Sequence, residues 1–236
     1  MREYKDCYIA VLDLLGFKNS LENFTCEEIA TIFDEINSQY IISFDKTGKP
    51  IVKDEDIHFK VMSDTVCIFI EEKVRNALTG LIAICDYLQI RLLRQCVPIL
   101  SRGAIVKGKI FNDGDILFGE GFVRAYYMQE KDVKYPRVVI DFSALASYQS
   151  YDESGQSYLD KYLITDDDGY FISDYLFIFY GLNHSQESWK RFALYVKAQL
   201  EIEDEAIREK YEYLYKKFSE VTRKYMDYLE DEANNV

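Results

Sequence analysis

The chain has 236 residues, of which 48% are hydrophobic and 29% charged, and its formal net charge is −13. This length predicts one domain, or one domain with an appendage, and the apolar content is ample for a core. The strong negative charge argues against binding to a nucleic-acid backbone or to an anionic membrane surface. An anionic ligand would therefore need a local cluster of cations.

The five cysteines contain no CxxC pair, which fits reduced core residues in a cytoplasm. The two histidines, His58 and His184, are too few for a typical His-rich zinc site. The N-terminal residues lack the apolar segment of a signal peptide, and no apolar run reaches the ~18 residues of a membrane span. We therefore expect a cytoplasmic protein with no membrane partner.

The first predicted element is a strand over residues 6–13, because this apolar run has the length of a strand buried on both faces. A helix over residues 25–41 is predicted from the capping box formed by Thr25 and Glu28 and from the apolar spacing after it. The next elements are a hairpin of two strands and a long helix, at residues 57–62, 65–70 and 73–95.

A strand over residues 100–111, a short helix over 119–130 and a strand over 137–142 follow. This alternation predicts an α+β sandwich with helices on one face of a mostly antiparallel sheet. Residues 143–183 are rich in Tyr, Ser and Asp, and we expect a variable loop and a short hairpin there. The run Asp166-Asp167-Asp168-Gly169 lacks the ligand spacing of a calcium loop and is predicted to be a solvated turn.

Residues 186–230 are predicted to be helical, with an apolar heptad seam from Ile207 to Tyr228. Such a seam is compatible with two arrangements. The helix could pack on its own core, which we favour slightly, or it could form a coiled coil in a dimer.

A carboxylate interrupts each of two apolar strands. Asp13 stands inside a run of apolar residues, and Asp64 stands in the predicted hairpin turn. A buried unpaired charge costs several kcal/mol, so Asp13 needs a partner such as a metal ion. Asp64 alone is better explained as a turn residue. Together, two such acids suit hard divalent cations, which stabilise the attacking and leaving oxygens of a phosphoryl transfer.

Four stretches resemble motifs of the class III nucleotidyl cyclases. Asp13-Leu14-Leu15-Gly16-Phe17 is similar to the family's Asp-hydrophobic-x-Gly-Phe, and Lys60-Val61-Met62-Ser63-Asp64 to its Lys-x-x-Gly-Asp hairpin, with Ser63 in place of glycine. The stretch 101–108 resembles the strand Arg-x-Gly-Ile-x-x-Gly, and 118–129 resembles Trp-Gly-Asp-x-Val-Asn-x-Ala-x-Arg-Met-Glu. The order and spacing match over residues 5–141.

Arg102-Gly103-Ala104 and the segment 135–141 most resemble one branch, the pyrimidine cyclases of bacterial Pycsar anti-phage systems. The resemblance implies a ferredoxin-like, palm-type α+β cyclase core with extra C-terminal helices. It divides the chain into a catalytic domain at 1–183 and a helical extension at 184–236, packed on the core or on a dimer partner. The implied reaction converts UTP, or CTP, to the 3′,5′-cyclic monophosphate and pyrophosphate.

The family also implies site residues. Asp13 and Asp64 would bind two Mg²⁺ or Mn²⁺ ions, with the Leu14 carbonyl as a further ligand. The backbone amides of Leu15, Gly16 and Phe17 would cradle the triphosphate. In the family the two acids come from one subunit and the base and phosphate readers from the other. A head-to-tail homodimer is therefore implied, and so is a downstream effector that senses the cyclic nucleotide.

Arg102 matches a family arginine that contacts phosphates, although a surface ion pair is an equally good explanation without the resemblance. Lys60 and Glu120 match the positions that read the base in adenylyl cyclases. Their donor and acceptor suit adenine or cytosine, because uracil has no exocyclic amine. The resemblance to the Pycsar branch favours UTP over CTP, because cyclic UMP is the commoner product there, and these two residues oppose that preference.

The chain departs from the family where the transition-state Asn and Arg fall on Val123 and Tyr127. Arg124, three residues before Tyr127 and so on the same helix face, is the candidate replacement. This departure weakens a purine cyclase more than a pyrimidine cyclase. Two alternatives stay open: an adenylyl cyclase with a rebuilt helix, and a degenerate cyclase-like domain that binds a nucleotide or a partner without turnover, which the missing Asn and Arg favour.

Overall fold

The computed structural model describes residues 2–37, 52–95, 97–148, 153–182 and 186–234. The strands in these ranges are β1 Lys5–Leu15, β2 His58–Met62, β3 Thr65–Glu71, β4 Leu100–Asp113, β5 Ile116–Phe118, β6 Val138–Ile140, β7 Leu163–Thr165 and β8 Phe171–Ser173. They form one sheet in the order β2-β3-β1-β4-β6-β8-β7, and β5 pairs with β4. All of these pairings are antiparallel except β4 with β6. The predicted mixed α+β class is confirmed.

The helices are α1 Phe17–Asn23, α2 Cys26–Asn37, α3 Ala77–Leu93, α4 Glu120–Asp132, α5 Phe142–Ser147, α6 Glu153–Tyr162, α7 Tyr175–Leu182, α8 Gln186–Gln199 and α9 Glu205–Asn234. A 3₁₀ turn covers Asp54–Asp56. Within the described ranges, none of the helices has both the length and the apolar character that crossing a membrane requires.

Strand β1 lies in the middle of the sheet and is buried on both faces. Its residues Tyr8 and Leu12 pack in the core that α3 covers. The alternating residues Ile9 and Val11 pack in a second cluster with Ala125 of α4. The expectation of helices on one face only is therefore wrong. Both sets of alternating side chains on β1 are apolar, so each face of the sheet needs its own helix to exclude water.

Helix α4 approaches β4 closely through two glycines. A Cβ atom on Gly108 would lie 2.6 Å from the Cα of Gly121, which is too close for any real side chain. The backbones of α4 and β4 are therefore in direct contact at this point. The absence of a side chain at both positions is what fixes the depth at which α4 sits on the sheet.

The C-terminal helices form a further apolar cluster together with α7. The indole of Trp189 stacks on Phe218 with ring centroids 4.0 Å apart, and Leu214 is completely buried. The predicted seam residues up to Val221 thus pack against side chains of their own chain. The last two seam residues, Tyr225 and Tyr228, lie outside the described side chains.

The predicted boundaries differ from the observed ones in ways that have local causes. The capping box is present, since the Thr25 amide donates to the Glu28 carboxylate at 2.8 Å and the Glu28 amide donates to the Thr25 hydroxyl at 3.3 Å. The predicted end of that helix, at 38–41, lies outside the described residues. The next helix begins at Ala77 rather than at 73, because Asn76 has a left-handed conformation with φ 57°.

Candidate active site

The backbone brings Asp13 and Asp64 to the same end of the sheet. Asp13 lies opposite Thr65 in the pairing of β1 with β3, and Asp64 is the residue immediately before Thr65. The amide of Leu14 donates a hydrogen bond of 2.9 Å to the carbonyl of Asp64. The segment that carries one acid is thus bonded directly to the turn that carries the other.

The side chain of Asp13 belongs to the sheet face covered by α4. It follows Ile9 and Val11 in the alternation of β1, and these residues pack in the cluster that contains Ala125. The Asp13 side chain retains 22% exposure, and Asp64 is also partly buried. Both carboxylates therefore stand at the edge of an apolar region but can still be reached from solvent.

Arg102 is the direct partner of Asp13. The two residues are opposite each other in the pairing of β1 with β4, and the Arg102 Nε donates to the Asp13 carboxylate at 3.0 Å. A second guanidinium nitrogen donates to the carbonyl of Val133 at 2.8 Å. Arg102 therefore forms an ion pair, as the alternative explanation expected, but this pair is mostly buried rather than on the surface. Its contact with phosphates stays a prediction.

The turn between β2 and β3 consists of Ser63 and Asp64. Ser63 has a left-handed conformation with φ 56°, a region that glycine occupies without steric cost. The cyclase motif that this hairpin resembles has glycine at this position. Glycine would adopt the left-handed conformation without strain, whereas Ser63 adopts it at a steric cost.

The loop after β1 turns at Gly16, whose φ is +78°, and α1 begins at Phe17. The ring of Phe17 is buried and meets Phe33 of α2 edge to face, with centroids 5.7 Å apart. The loop is thus anchored at its downstream end. The expected cradling of a triphosphate by the amides of residues 15–17 stays a prediction.

Lys60 and Glu120 do not meet the two acids within one chain. The ammonium group of Lys60 donates to the carbonyl of Gly114, in the turn between β4 and β5. Glu120 is the exposed first residue of α4. Glu120 precedes Gly121, and Gly121 contacts Gly108 of β4. Gly108 pairs with Cys7 of β1, which is six residues from Asp13. Cys7 and Asp13 are therefore separated by roughly 20 Å along β1.

Arg124 is also directed to a different partner. It forms an ion pair with Asp141 at 2.7 Å and donates to the Ser143 hydroxyl at 3.1 Å. Burial alone would raise the pKa of the Asp141 carboxyl, but its hydrogen bonds with Ser143 and the charge of Arg124 lower that pKa below its usual value. Arg124 is therefore held at the end of β6, and its role as a replacement for the family arginine stays a prediction.

Sequence reasoning missed a charged cluster beneath α9. The side chain of Arg137 is fully buried and is bound by the carboxylates of Asp166 and Asp168. Asp166 also accepts from the Tyr213 hydroxyl at 2.6 Å and pairs with Lys217 at 2.8 Å. The predicted turn is present and Asp167, Asp168 and Gly169 are exposed, but the prediction is wrong for Asp166, which is buried and ties α9 to the sheet.

A second missed feature is a buried carboxylate in α3. Asp86 is only 2% exposed, and it accepts hydrogen bonds of 2.6 Å from the hydroxyls of Tyr158 and Ser173. Burial raises the pKa of Asp86 from 3.8 to about 7; the two hydrogen bonds oppose this rise and the nearby Asp174 adds to it. No sequence signal marks Asp86, because its partners lie 72 and 87 residues away.

Asp13, near the end of β1, and Asp64, in the turn before β3, suit a hard divalent cation. Among the described residues, no group of three or more His, Cys, Asp or Glu side chains could hold a metal ion. Mg²⁺, however, keeps several waters and is commonly held by one or two carboxylates together with substrate phosphates. Asp13 and Asp64 provide this kind of donor set, and the Leu14 carbonyl is the further oxygen expected from the motif.

No protein-family model matches the chain, and no curated protein matches it either. Solved structures do match. One is the catalytic core of a rhodopsin-guanylyl cyclase with converted specificity in complex with ATPαS, at 12% identity and TM-score 0.45, covering 72% of this chain and 96% of that one. Another is a bacterial light-regulated adenylyl cyclase, at 12% identity and TM-score 0.39, covering 79% of this chain and 99% of that one. Both TM-scores lie below 0.5, so any assignment of function has to come from the chain's own residues and contacts.

Proposed function

We propose that the protein is a nucleotide cyclase, with residues 1–183 as its catalytic domain and 184–236 as a helical extension. In this reaction the ribose 3′-hydroxyl attacks the α-phosphorus of a nucleoside triphosphate, a new P–O bond closes the ring, and pyrophosphate leaves. The observation that carries the proposal is the Leu14–Asp64 hydrogen bond, which joins two acid-bearing segments at one end of the sheet. Both segments have the residue order of cyclase motifs.

Each residue at this end of the sheet has a role in that chemistry. Asp13, Asp64 and the Leu14 carbonyl would hold Mg²⁺ or Mn²⁺, which when bound would lower the pKa of the 3′-hydroxyl and offset charge on the phosphates. Arg102 lies within reach of the same place, since it already contacts the Asp13 carboxylate. Its guanidinium fork is suited to phosphate oxygens. The protein's contribution is mainly positioning and electrostatics.

The site would be completed by a second copy of the chain. Within one chain Glu120 is far from Asp13, and the Lys60 ammonium group is bound to the Gly114 carbonyl, so the groups expected to read the base would have to come from a partner. Large apolar side chains are exposed around these groups, as an interface requires. They lie at the end of β2, on β5 and on α4: Met62, Ile116, Phe118, Val123, Tyr126 and Tyr127. These exposed side chains support the proposal of a homodimer with two sites.

The proposed substrate is a pyrimidine nucleotide, UTP before CTP, and the product would act as a second messenger in anti-phage defence through a cyclic-nucleotide-sensing effector. This part rests on the resemblance of residues 102–104 and 135–141 to the Pycsar branch. Lys60 and Glu120 favour a base with an exocyclic amine. They therefore support CTP, or ATP in an adenylyl cyclase, as the second candidate.

The test is to incubate the purified chain with Mn²⁺ and with ATP, GTP, CTP or UTP separately, and to identify the products by mass. We expect cyclic UMP or cyclic CMP. Cyclic AMP would instead identify an adenylyl cyclase. No product from any nucleotide, in a confirmed dimer, would refute the cyclase and leave a nucleotide-binding domain.

Two variants make this test specific. Asp64→Asn should abolish turnover without lowering the thermal midpoint, because it removes one metal-binding charge from a solvent-accessible turn. Asp54→Asn is the matched control, since Asp54 is an exposed aspartate outside the site. Full activity of Asp64→Asn would remove Asp64 from the metal site.

A further inference from the structure

A cavity of 580 Å³ lies between the loop after β1, the start of β4 and the C-terminal helices. This volume is in the range of sites for small organic ligands. Most of its wall is apolar and comes from segments distant in the sequence. The apolar side chains that define it are Leu15, Phe24, Pro98, Ile99, Ile202 and Ile207.

One wall of the cavity carries a lysine with no acidic partner. Lys210 of α9 lines the cavity and is partly buried, and within the described residues its ammonium group has neither an ion pair nor a hydrogen bond. Three other lysines of α9 differ in this respect. Lys216, Lys217 and Lys224 each contact an aspartate, at 2.6, 2.8 and 3.1 Å. Of the described residues that line the cavity, Lys210 alone is charged.

A pair of tyrosines that line the same cavity provides a further donor. The hydroxyls of Tyr195 and Tyr211 are 3.2 Å apart, and both residues line the cavity. A hydrogen bond between two hydroxyls uses one of their two protons, so the other remains free to donate. Burial raises the pKa of Tyr211, which keeps its hydroxyl protonated. Gln199 also lines the cavity.

We propose that this cavity binds a small organic monocarboxylate with an apolar body, such as a medium-chain fatty acid. The apolar walls would enclose the body, while Lys210 and the free tyrosine proton would bind the carboxylate. A single lysine neutralises one negative charge, which matches a carboxylate better than a phosphate dianion. The inference does not rest on the proposed cyclase activity, and the two sites share only the loop of Leu15 and Gly16.

The experiment measures the binding of decanoate to the full chain by titration calorimetry, below the concentration at which decanoate forms micelles. Decan-1-ol and decylamine, which have the same apolar body, serve as matched probes. We expect decanoate to bind more tightly than the alcohol and the alcohol more tightly than the amine. The net charge of −13 would favour the amine. A preference for the anion would therefore report a local cation.

Variants locate the site. Lys210→Gln should weaken decanoate binding by roughly tenfold or more and leave decan-1-ol unaffected, since only the charge-assisted bond is lost. Lys197→Gln is the matched control, because Lys197 is an exposed lysine of α8 outside the cavity. Ile207→Trp should fill the cavity and abolish the binding of both probes, with an unchanged circular dichroism spectrum showing that the chain is folded.

Three results would overturn the proposal. One is the absence of decanoate binding, another is equal affinity for all three probes, and the third is decanoate binding that Lys210→Gln leaves unchanged. Turnover of nucleotides plays no part in these measurements. Failure here would therefore not bear on the cyclase, and failure of the cyclase would not bear on this site.

Discussion

The buried carboxylate of Asp86 predicts a pH dependence of stability that a single substitution removes. Its pKa is about 7 in the folded chain, against 3.8 as the ordinary value. The folded state therefore holds this proton more tightly than the unfolded state. As the pH rises from about 4 to about 7, unfolded chains ionise at Asp86 while folded chains do not, so the free energy of unfolding falls.

The size of this effect follows from the two pKa values. Each pH unit between them costs about 1.4 kcal/mol, so the parent protein should lose about 4 kcal/mol of stability from this group. The loss is complete above about pH 7. The Asp86→Asn variant stays neutral at every pH, and its amide oxygen can still accept from Tyr158 and Ser173. It should therefore be more stable than the parent protein above neutrality.

The assay is urea unfolding of parent and variant, between about pH 4 and about pH 8, with the free energy of unfolding extrapolated to water. Glu187→Gln is the control for loss of one negative charge from an exposed helix position. Asp86→Ala should be less stable than Asp86→Asn by about 2 kcal/mol or more, because it leaves two hydroxyls without their acceptor. Equal pH slopes in the parent and in Asp86→Asn would refute the reasoning.

Three further predictions concern stability, each measured by chemical denaturation. Ser63→Gly should raise the free energy of unfolding by about 1 kcal/mol because it relieves a left-handed serine; no gain would contradict that turn conformation. Gly108→Ala should lower the free energy of unfolding by about 1–3 kcal/mol, since its methyl group would meet the backbone of α4. The control Gly181→Ala, in open space on α7, should cost nothing. Equal effects of the two substitutions would argue against the close approach of α4 to β4. Asp166→Asn should cost about 3–5 kcal/mol by breaking a buried ion pair, and the exposed Asp167→Asn less than about 1 kcal/mol. Burial alone would raise the pKa of Asp166, but its bonds lower it to about 2, so about 2.5 kcal/mol of this cost should be present above about pH 4 and be lost as the pH falls through 2.

The central part of the fold could be predicted because its signals are local. The apolar run of β1, the hairpin around Ser63 and the capping box at Thr25 each depend on residues within a few positions of one another. These features need no knowledge of distant contacts, so a single sequence contains them. The meeting of Asp13 and Asp64 at one end of the sheet is different, because it depends on the pairing of β1 with β3.

The parts that could not be predicted depend on contacts between distant segments. The partners of Arg137 lie 29 and 31 residues along the chain, and α9 is farther still. Nothing in the local run of three aspartates distinguishes a buried partner from a solvated turn. Likewise, the composition between 143 and 183 resembles a loop, but apolar contacts with α3 and the sheet stabilise α6 and α7 there. Tertiary packing thus overrides a weak local preference.

The ion pair between Asp13 and Arg102 has a consequence for the order of ligand binding under the proposed function. A bare cation would have to displace a guanidinium from the Asp13 carboxylate, which weakens its binding. A nucleotide that arrives with its metal ion supplies a new partner to each member of the pair, the cation for Asp13 and the phosphates for Arg102. Metal and nucleotide would then bind cooperatively, and each would strengthen the other's affinity by the same factor. The pair would thus neutralise the Asp13 carboxylate and hold its two side chains in place until both ligands arrive.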